Sequence, residues 1–426
     1  MKPTAQEKPT VLFATPVLHH VPRSGPELRI ENSIKALNKI ARLYIYCRTN
    51  PRNIGGAKAL EYYQGLSIKF FSKPVFFSKT TWKRQFVRII NLVSKAVTRA
   101  EVFPREVPDS NGDFHHLVKT AKAVGADLIW LGYGNISYPL LKYIKDNSNF
   151  KVVCDTDSVW SRFILRGLQY AGNDLEKRKI QMEGKEKEEE ERWGTRLADM
   201  TTGVSEVDVA YYRGLAAREE QVHIFSNVID TGSYQQEPPP PGLKNPSIYL
   251  AGTFWKGSPM EDATRWILDE IFPKVRSEIP DVHFYVVGRN SDKVLDDMSD
   301  EAVTIVGEVR SVLPYLTNVD VVTVPLRFES GTRFKILEAG ACALPVVSTT
   351  LGAEGIPITH DHDIFLADDP DDFAKYIIKT IKEPEKAVRL GQNLKQLVEE
   401  KFSIDSLAYE GELILDRLLP NMRQRP

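Results

Sequence analysis

Short, nearly continuous apolar runs alternate along this chain with stretches of helical period. The run at 11–14 ends in the loop TPVLHHVPRSGPE. LRIENSIKALNKI then places apolar residues at 28, 30, 34, 37 and 40, the spacing of an amphipathic helix. LYIYC (43–47) reads as the next strand. ADLIWLGYG (126–134) and KVVCDTD (151–157) follow, separated by the helical YPLLKYIKD, and MTTGVSE (200–206) is a further apolar run. Strands alternating with helices predict an α/β fold with parallel sheets covered on both faces.

The texture changes over 231–247, TGSYQQEPPPPGLKNPS. Four consecutive prolines make a semi-rigid spacer that cannot be helical. Beyond it the alternation restarts. SIYLAG, VHFYVVG, VTIVG, DVVTVPL and LPVVST read as strands, with helical stretches such as EDATRWILDEIFPKVRSEI between them. The pattern predicts an N-terminal domain over 1–230, a proline-rich linker over 231–246, a second α/β domain over 247–404 and a C-terminal helix in 405–426.

The length of 426 residues suits two or three domains, and 42% hydrophobic with 27% charged residues is ordinary globular composition. A net charge of −1 removes any global electrostatic case for nucleic acid. Cys47, Cys154 and Cys342 lie far apart in or beside apolar runs. They read as reduced core thiols of a cytoplasmic protein, not as a disulfide frame or metal site. The start, MKPTAQEKPT, lacks the apolar core of a signal peptide, and no run approaches the roughly 18–20 residues of a membrane span. Two segments stand apart. The charge run 176–193 reads as an exposed helix laced with i,i+4 pairs. The segment 79–100 gathers Trp82, Phe86, Ile89, Val93 and Val97 on one helical face, with Lys79, Lys83, Arg84, Arg88, Lys95 and Arg99 beside them. It reads either as a buried packing face or as a helix lying on an anionic membrane surface, which would bring the protein to the inner face of the membrane.

The stretch FESGTRFKILEAGACALPVVST (328–349) carries the chemistry. The small turn Ser330-Gly331-Thr332 leads into a helix, whose first amides have no intrahelical partner and favour an anion. Arg333 and Lys335 can add charge-assisted bonds to a diphosphate. Glu338, about a turn further on, suits a vicinal diol such as a ribose. Together these residue types fit a nucleoside diphosphate; a capped helix with surface charges has the same spacing.

FESGTRFKILEAGACALPVVSTTLGAEGI resembles the signature of the family 4 retaining glycosyltransferases, in the branch reading R-x-x-S-G-T-R-x-K-I-L-E-A-x-A-x-x-x-P-V-V-S-T-x-x-G-A-E-G. SNVID (226–230), GVSEVD (203–208) and VVGRN (286–290) resemble further segments of that family. The resemblance implies the GT-B fold: two Rossmann-like domains with parallel sheets facing a central cleft, and a last helix crossing back to the first domain. It implies a donor site mainly on the C-terminal domain, with Glu338 on the ribose and the amides around Ser330, Gly331 and Thr332, with Arg333 or Lys335, on the diphosphate. Arg289 and Lys256 are further diphosphate candidates, Gly25 would let backbone approach the phosphate, and Glu308 and Val309 would lie against the base. The sequence departs from the wider family in three places, the first being Ser24-Gly25-Pro26-Glu27 where the family has a Gly-Gly loop after the first strand. Ser330 stands where the first of two spaced glutamates is common, and Gly132-Tyr133-Gly134-Asn135 carries no histidine where many members have one.

Asp155-Thr156-Asp157, at the end of an apolar strand, has the residue types of a metal-binding pair. It lies in the half opposite the diphosphate motif, however, and no metal or other cofactor is expected. Asp157 is a candidate for orienting the acceptor or for catalysis; alternatively, the two carboxylates cap a helix beginning at Ser158. His19, His20, Glu27 and Arg29 lie at the same strand-end edge, as candidates for ligand contact or as ordinary loop residues. The resemblance implies transfer of a sugar from a UDP- or GDP-sugar to a hydroxyl of a glycan or lipid-linked acceptor, with retention, in polysaccharide biosynthesis. The alternative is a non-catalytic nucleotide-sugar-binding subunit of a glycosyltransferase complex. A dehydrogenase is disfavoured, because neither half opens with G-x-G-x-x-G after its first strand.

Overall fold

The computed structural model describes residues 8–22, 24–48, 57–66, 68–72 and 111–420. The amphipathic segment 79–100 lies outside these. Among the described residues two all-parallel sheets form the frame. The first has seven strands in the order β3-β2-β1-β4-β5-β6-β7: β1 (Thr10–Thr15), β2 (Arg42–Cys47), β3 (Lys69–Ser72), β4 (Leu128–Gly132), β5 (Lys151–Asp155), β6 (Met200–Gly203) and β7 (Val222–Ile224). The second has six in the order β10-β9-β8-β11-β12-β13: β8 (Ser247–Ala251), β9 (His283–Val287), β10 (Val303–Gly307), β11 (Val321–Val324), β12 (Val346–Ser348) and β13 (Phe365–Leu366).

The alternation within β1 shows why these strands read as continuous apolar runs. Val11 and Phe13 enter one core, while Leu12 and Ala14 enter the core on the opposite face. A sheet covered on both faces needs apolar residues at every position. In each sheet the strand order reverses beside the first strand, between β1 and β4 and between β8 and β11. The loops leaving these pairs open the crevices where open α/β sheets bind ligands.

One buried cation organises the first domain. Arg29 lies on α1 (Gly25–Ile40) and is 2% exposed. Its Nη2 donates to Asp155 Oδ1 and to the Phe225 carbonyl at 3.1 Å; its Nη1 donates to Asn227 Oδ1 at 2.8 Å and to the Ser226 carbonyl. Asp155 also accepts from Thr202 Oγ1 at 2.8 Å and Trp130 Nε1 at 3.0 Å. Asp155 is therefore a fully buried structural carboxylate and Arg29 its counter-ion. Neither is a loop residue free to touch a ligand, and a metal-binding role for Asp155 does not fit its saturated oxygens.

The helix Ile404–Leu418 returns from the second domain and lies on α1. A Cβ at Gly411 would stand 3.0 Å from Ile40 and 3.4 Å from Leu37 and Phe225, so glycine permits the close crossing. Glu410 accepts from Ser226 N at 2.7 Å and Ser226 Oγ at 2.8 Å, and burial, partly offset by these bonds, raises its pKa. None of the helices among the described residues is long and apolar enough to cross a membrane.

Four local expectations need correction. The charged helix Asp174–Leu197 is not simply an exposed face. Glu191 is fully buried and accepts from Trp160 N at 2.9 Å, Ser161 N at 3.1 Å and Tyr211 Oη at 2.8 Å. It thereby caps the helix Trp160–Arg166, which starts two residues after Ser158 and takes no cap from Asp155 or Asp157. The stretch 261–279 is interrupted by a π turn at Ile267–Ile271, with Pro273 just beyond it supplying no amide donor. Cys47 and Cys154 are buried, but Cys342 is only half-buried.

Asp155→Asn should lower the unfolding free energy by about 3–5 kcal/mol, because it strands a buried guanidinium. Urea denaturation, with the slope unchanged, measures this.

Candidate active site

The second crevice is built by the turn between β11 and the helix Phe334–Ala341. That helix is short and apolar on one face: Ile336, Leu337, Ala339 and Gly340 are buried, and a Cβ at Gly340 would meet Val398 at 2.7 Å. The packing leaves Lys335 and Glu338, three residues apart, as its half-buried charged pair. Gly331 has φ +83, a conformation glycine adopts without strain, and turns the chain into the helix.

Arg333 precedes that helix and is 5% exposed. Its Nη1 donates back to the Gly331 carbonyl, while Nε and Nη2 are buried without a partner among the described residues. Burial pulls its pKa down, against the pull of Glu329 and Glu354. Lys335 makes no hydrogen bond or ion pair among the described residues, and burial lowers its pKa too. Ser330 Oγ is buried and unpartnered. The amides of Gly331, Thr332 and Arg333 donate to no group among the described residues. Such unmet donors around two desolvated cations are costly unless an anion joins them.

Glu338 stands at the other end of this set. Tyr234, from the linker, donates its hydroxyl to Glu338 Oε1 at 3.0 Å. Burial raises the Glu338 pKa, with the Tyr234 bond and the Lys335 charge working against the rise. Sequence reasoning missed Tyr234; its one signal is its place just ahead of the prolines.

The first domain closes on the same turn. A Cβ at Gly331 would lie 3.1 Å from the Asp157 carbonyl and the Ser158 side chain; one at Gly25 would lie 3.3 Å from the Phe334 ring. The N-terminus of α1 thus faces that of Phe334–Ala341, two helix ends of like partial charge beside the unmet donors. Asp157 accepts from Asn135 and from Trp160 Nε1 at 3.2 Å. Burial raises its pKa against those bonds and the Arg29 charge. Tyr133 and Asn135 come from the segment without histidine, so side chains of other types fill that position. His19 lies 3.8 Å from Glu27; His20 bonds Glu31 at 2.9 Å and stacks on Tyr62. Arg289, Lys256 and Glu308 are exposed on the loops after β9, β8 and β10, and Val309 is half-buried against the core. The structure brings Ser330, Gly331, Thr332, Arg333, Lys335, Glu338, Gly25 and Asp157 together, and leaves these four around the rim of the second sheet.

A charged cluster ties the two domains beside the turn. Arg166 makes a two-pronged pair with Glu354 at 2.7 and 2.8 Å, and Arg162 lies 3.4 Å from Asp208. Burial pushes the Asp208 carboxyl up to about 6, against the pull of Arg162. Both acids belong to stretches quoted from the sequence, GAEG and GVSEVD, but their partners are remote and the pairing was not legible.

Two Rossmann-like domains facing across such a cleft define the GT-B class of fold, and solved structures agree. The chain superposes on HepE from Anabaena in complex with UDP and glucose over 95% of its own length and 99% of that chain, with TM-score 0.62 and 13% identity. It is similar to sucrose-phosphate synthase from Thermosynechococcus elongatus over 97% and 100% of the two chains, TM-score 0.65 and 15% identity. It is also similar to TarM from S. aureus, solved with fondaparinux, alpha-GlcNAc-glycerol and UDP, over 96% and 100%, TM-score 0.65 and 12% identity. Residues 245–383 match the family described as Glycosyl transferases group 1. An uncharacterized 44.6 kDa protein in the cps region of Klebsiella pneumoniae is 21% identical over 169 residues; the match spans 38% of this chain and 43% of that relative's length.

Arg333→Met should raise the unfolding free energy by about 1–3 kcal/mol, since it removes an incompletely paired buried charge. Denaturation midpoints in the absence of ligand read this out.

Proposed function

We propose that this protein is a retaining glycosyltransferase that moves a sugar from a UDP- or GDP-sugar to a hydroxyl of a glycan or lipid-linked acceptor without a metal. The observation that carries the reading is the buried Arg333 guanidinium, with two unpartnered nitrogens beside the open amides of Gly331 and Thr332. Such a set matches a diphosphate in charge and in donor number. The group 1 match over 245–383 and the neighbours solved with UDP support the same choice.

In this reading Glu338, steadied by Tyr234, accepts two hydrogen bonds from the ribose diol. The amides, Arg333 and Lys335 hold the diphosphate, and Gly25 admits it against α1. As the bond from the sugar's anomeric carbon to the phosphate oxygen breaks, charge grows on that oxygen. The preformed donors stabilise it there without reorganising, which is how electrostatic catalysis lowers a barrier. Asp157 orients the acceptor hydroxyl. The acceptor oxygen bonds to the anomeric carbon on the face the phosphate leaves, and its proton passes to the departing phosphate oxygen. Closure of the domains keeps water from competing. A cytoplasmic enzyme working on polysaccharide precursors at the inner face of the membrane is the setting this chemistry suits.

Calorimetric titration with UDP, GDP, ADP, CMP and dTDP, each in EDTA and in Mg²⁺, tests the reading. Binding of one diphosphate in EDTA, followed by transfer from its sugar to an acceptor, is the expected result. Binding only with Mg²⁺ would remove the metal-independent mechanism, and binding without turnover would favour a nucleotide-sugar-binding subunit. Glu338→Gln should weaken nucleotide binding by about 1–3 kcal/mol through loss of charge-assisted bonds to the diol; unchanged affinity would end the ribose assignment.

A further inference from the structure

The carbonyls of the turn 327–332 are held by named donors. Tyr170 Oη donates to the Arg327 carbonyl at 3.3 Å, and its ring packs on Phe328 at 4.5 Å. Arg166 Nη1 donates to the Glu329 carbonyl at 2.5 Å while the same guanidinium grips Glu354. Arg333 takes the Gly331 carbonyl. Asn227 Nδ2 reaches the Thr332 carbonyl at 3.5 Å, and Thr332 Oγ1 bonds the Val204 carbonyl at 3.3 Å. Apart from Arg333, the donors come from the first domain or the crossover that ends it.

A trans peptide unit directs its N–H opposite its C=O. Fixing the carbonyls of 327, 329, 331 and 332 therefore fixes where the amides of 328, 330, 332 and 333 aim. Ser330 N reports the direction: it donates to Glu329 Oε1 at 3.2 Å, and the Glu329 charge acts on both Arg333 and Lys335. An acid thus already sits against the donor set, opposite the carbonyl that Arg166 holds.

We propose that Arg166 and Tyr170 are positioning residues that hold the 328–333 turn, and with it the open amides of Gly331, Thr332 and Arg333, in place for the donor diphosphate by tethering the carbonyls of Glu329 and Arg327 at its start, although neither touches the donor. The inference rests on the functional reading above. It separates two roles of Arg166, the bond to the Glu329 carbonyl and the ion pair with Glu354. Glu354→Gln removes the charge of the pair and leaves the carbonyl bond in place, whereas Arg166→Ala removes both.

The test combines amide hydrogen exchange over 327–335, read by mass spectrometry, with titration of UDP, GDP, uridine and guanosine. Arg166→Ala should speed exchange in the turn and weaken the diphosphate about 10- to 100-fold, the equivalent of a lost charge-assisted hydrogen bond. Its affinity for the matching nucleoside should stay at the wild-type value. Glu354→Gln should stay within about threefold of wild type in every readout, as expected for a partly exposed pair. Tyr170→Phe keeps the ring on Phe328, so it tests the tether with little risk to folding; it should weaken the diphosphate about two- to fivefold. Equal losses in Arg166→Ala and Glu354→Gln would overturn the proposal in favour of a simple interdomain ion pair. A parallel loss of nucleoside and diphosphate, or unchanged exchange in Arg166→Ala, would overturn it as well. Wild-type protein binding neither UDP nor GDP overturns the functional reading instead, and the exchange comparison then still decides the tethering.

Discussion

The buried pair between Arg29 and Asp155 is the constraint from which the rest of the arrangement follows. One guanidinium meets a carboxylate at the end of β5, two carbonyls of the crossover at Phe225 and Ser226, and the Asn227 side chain. Glu410, on the returning C-terminal helix, binds the crossover at Ser226. An apolar replacement could match the stability of such a pair. It could not fix four directions at once. Arg29 lies one turn into the helix that starts at Gly25, and Asp155 two residues before Asp157, so the pair also sets where the first domain presents both to the cleft.

Stability and site chemistry pull in opposite directions at Arg333. Folding desolvates its guanidinium and satisfies only one nitrogen inside the protein. Lys335 and the Ser330 hydroxyl are left in a similar state. A chain selected for stability alone would fill this turn with apolar groups. Donors held ready without partners are what electrostatic stabilisation of a developing charge requires, because reorganising them later would cost part of the gain.

Much of the frame was legible because it rests on local pattern. Both sheets are buried on two faces, so their strands read as apolar runs, and the prolines at 238–241 mark the passage between domains. Short edge pieces such as Val222–Ile224 and Phe365–Leu366 carried too few residues to announce themselves. The turn 330–338 could be singled out because its candidate chemistry lies within nine consecutive residues. The partners that tune it were not. Tyr234 reaches Glu338 across 104 positions, and Arg166 reaches Glu354 across 188. Glu191 looked like one more surface charge until the helix it caps was in place beside it. No periodicity records which charged residue of an amphipathic stretch turns inward to serve a remote helix end.

The contact between Gly331 and the Asp157 backbone gives the site its geometry. On the proposed reaction path the acceptor oxygen and the leaving phosphate oxygen share one face of the sugar, so the groups orienting each must be near neighbours. In many two-domain proteins such a separation would depend on a hinge angle. Here the 330–333 turn packs directly against the backbone after the strand that leads to Asp157, so closely that a Cβ at Gly331 would stand only 3.1 Å from the Asp157 carbonyl. Asp157 is itself fixed by Asn135 and Trp160. On that proposed path the separation of the two groups would be set by van der Waals contact, which tolerates displacements of only a few tenths of an ångström. A Cβ at 331 would press on the Asp157 carbonyl and the Ser158 side chain, so glycine is favoured there twice, by its positive φ and by its neighbour.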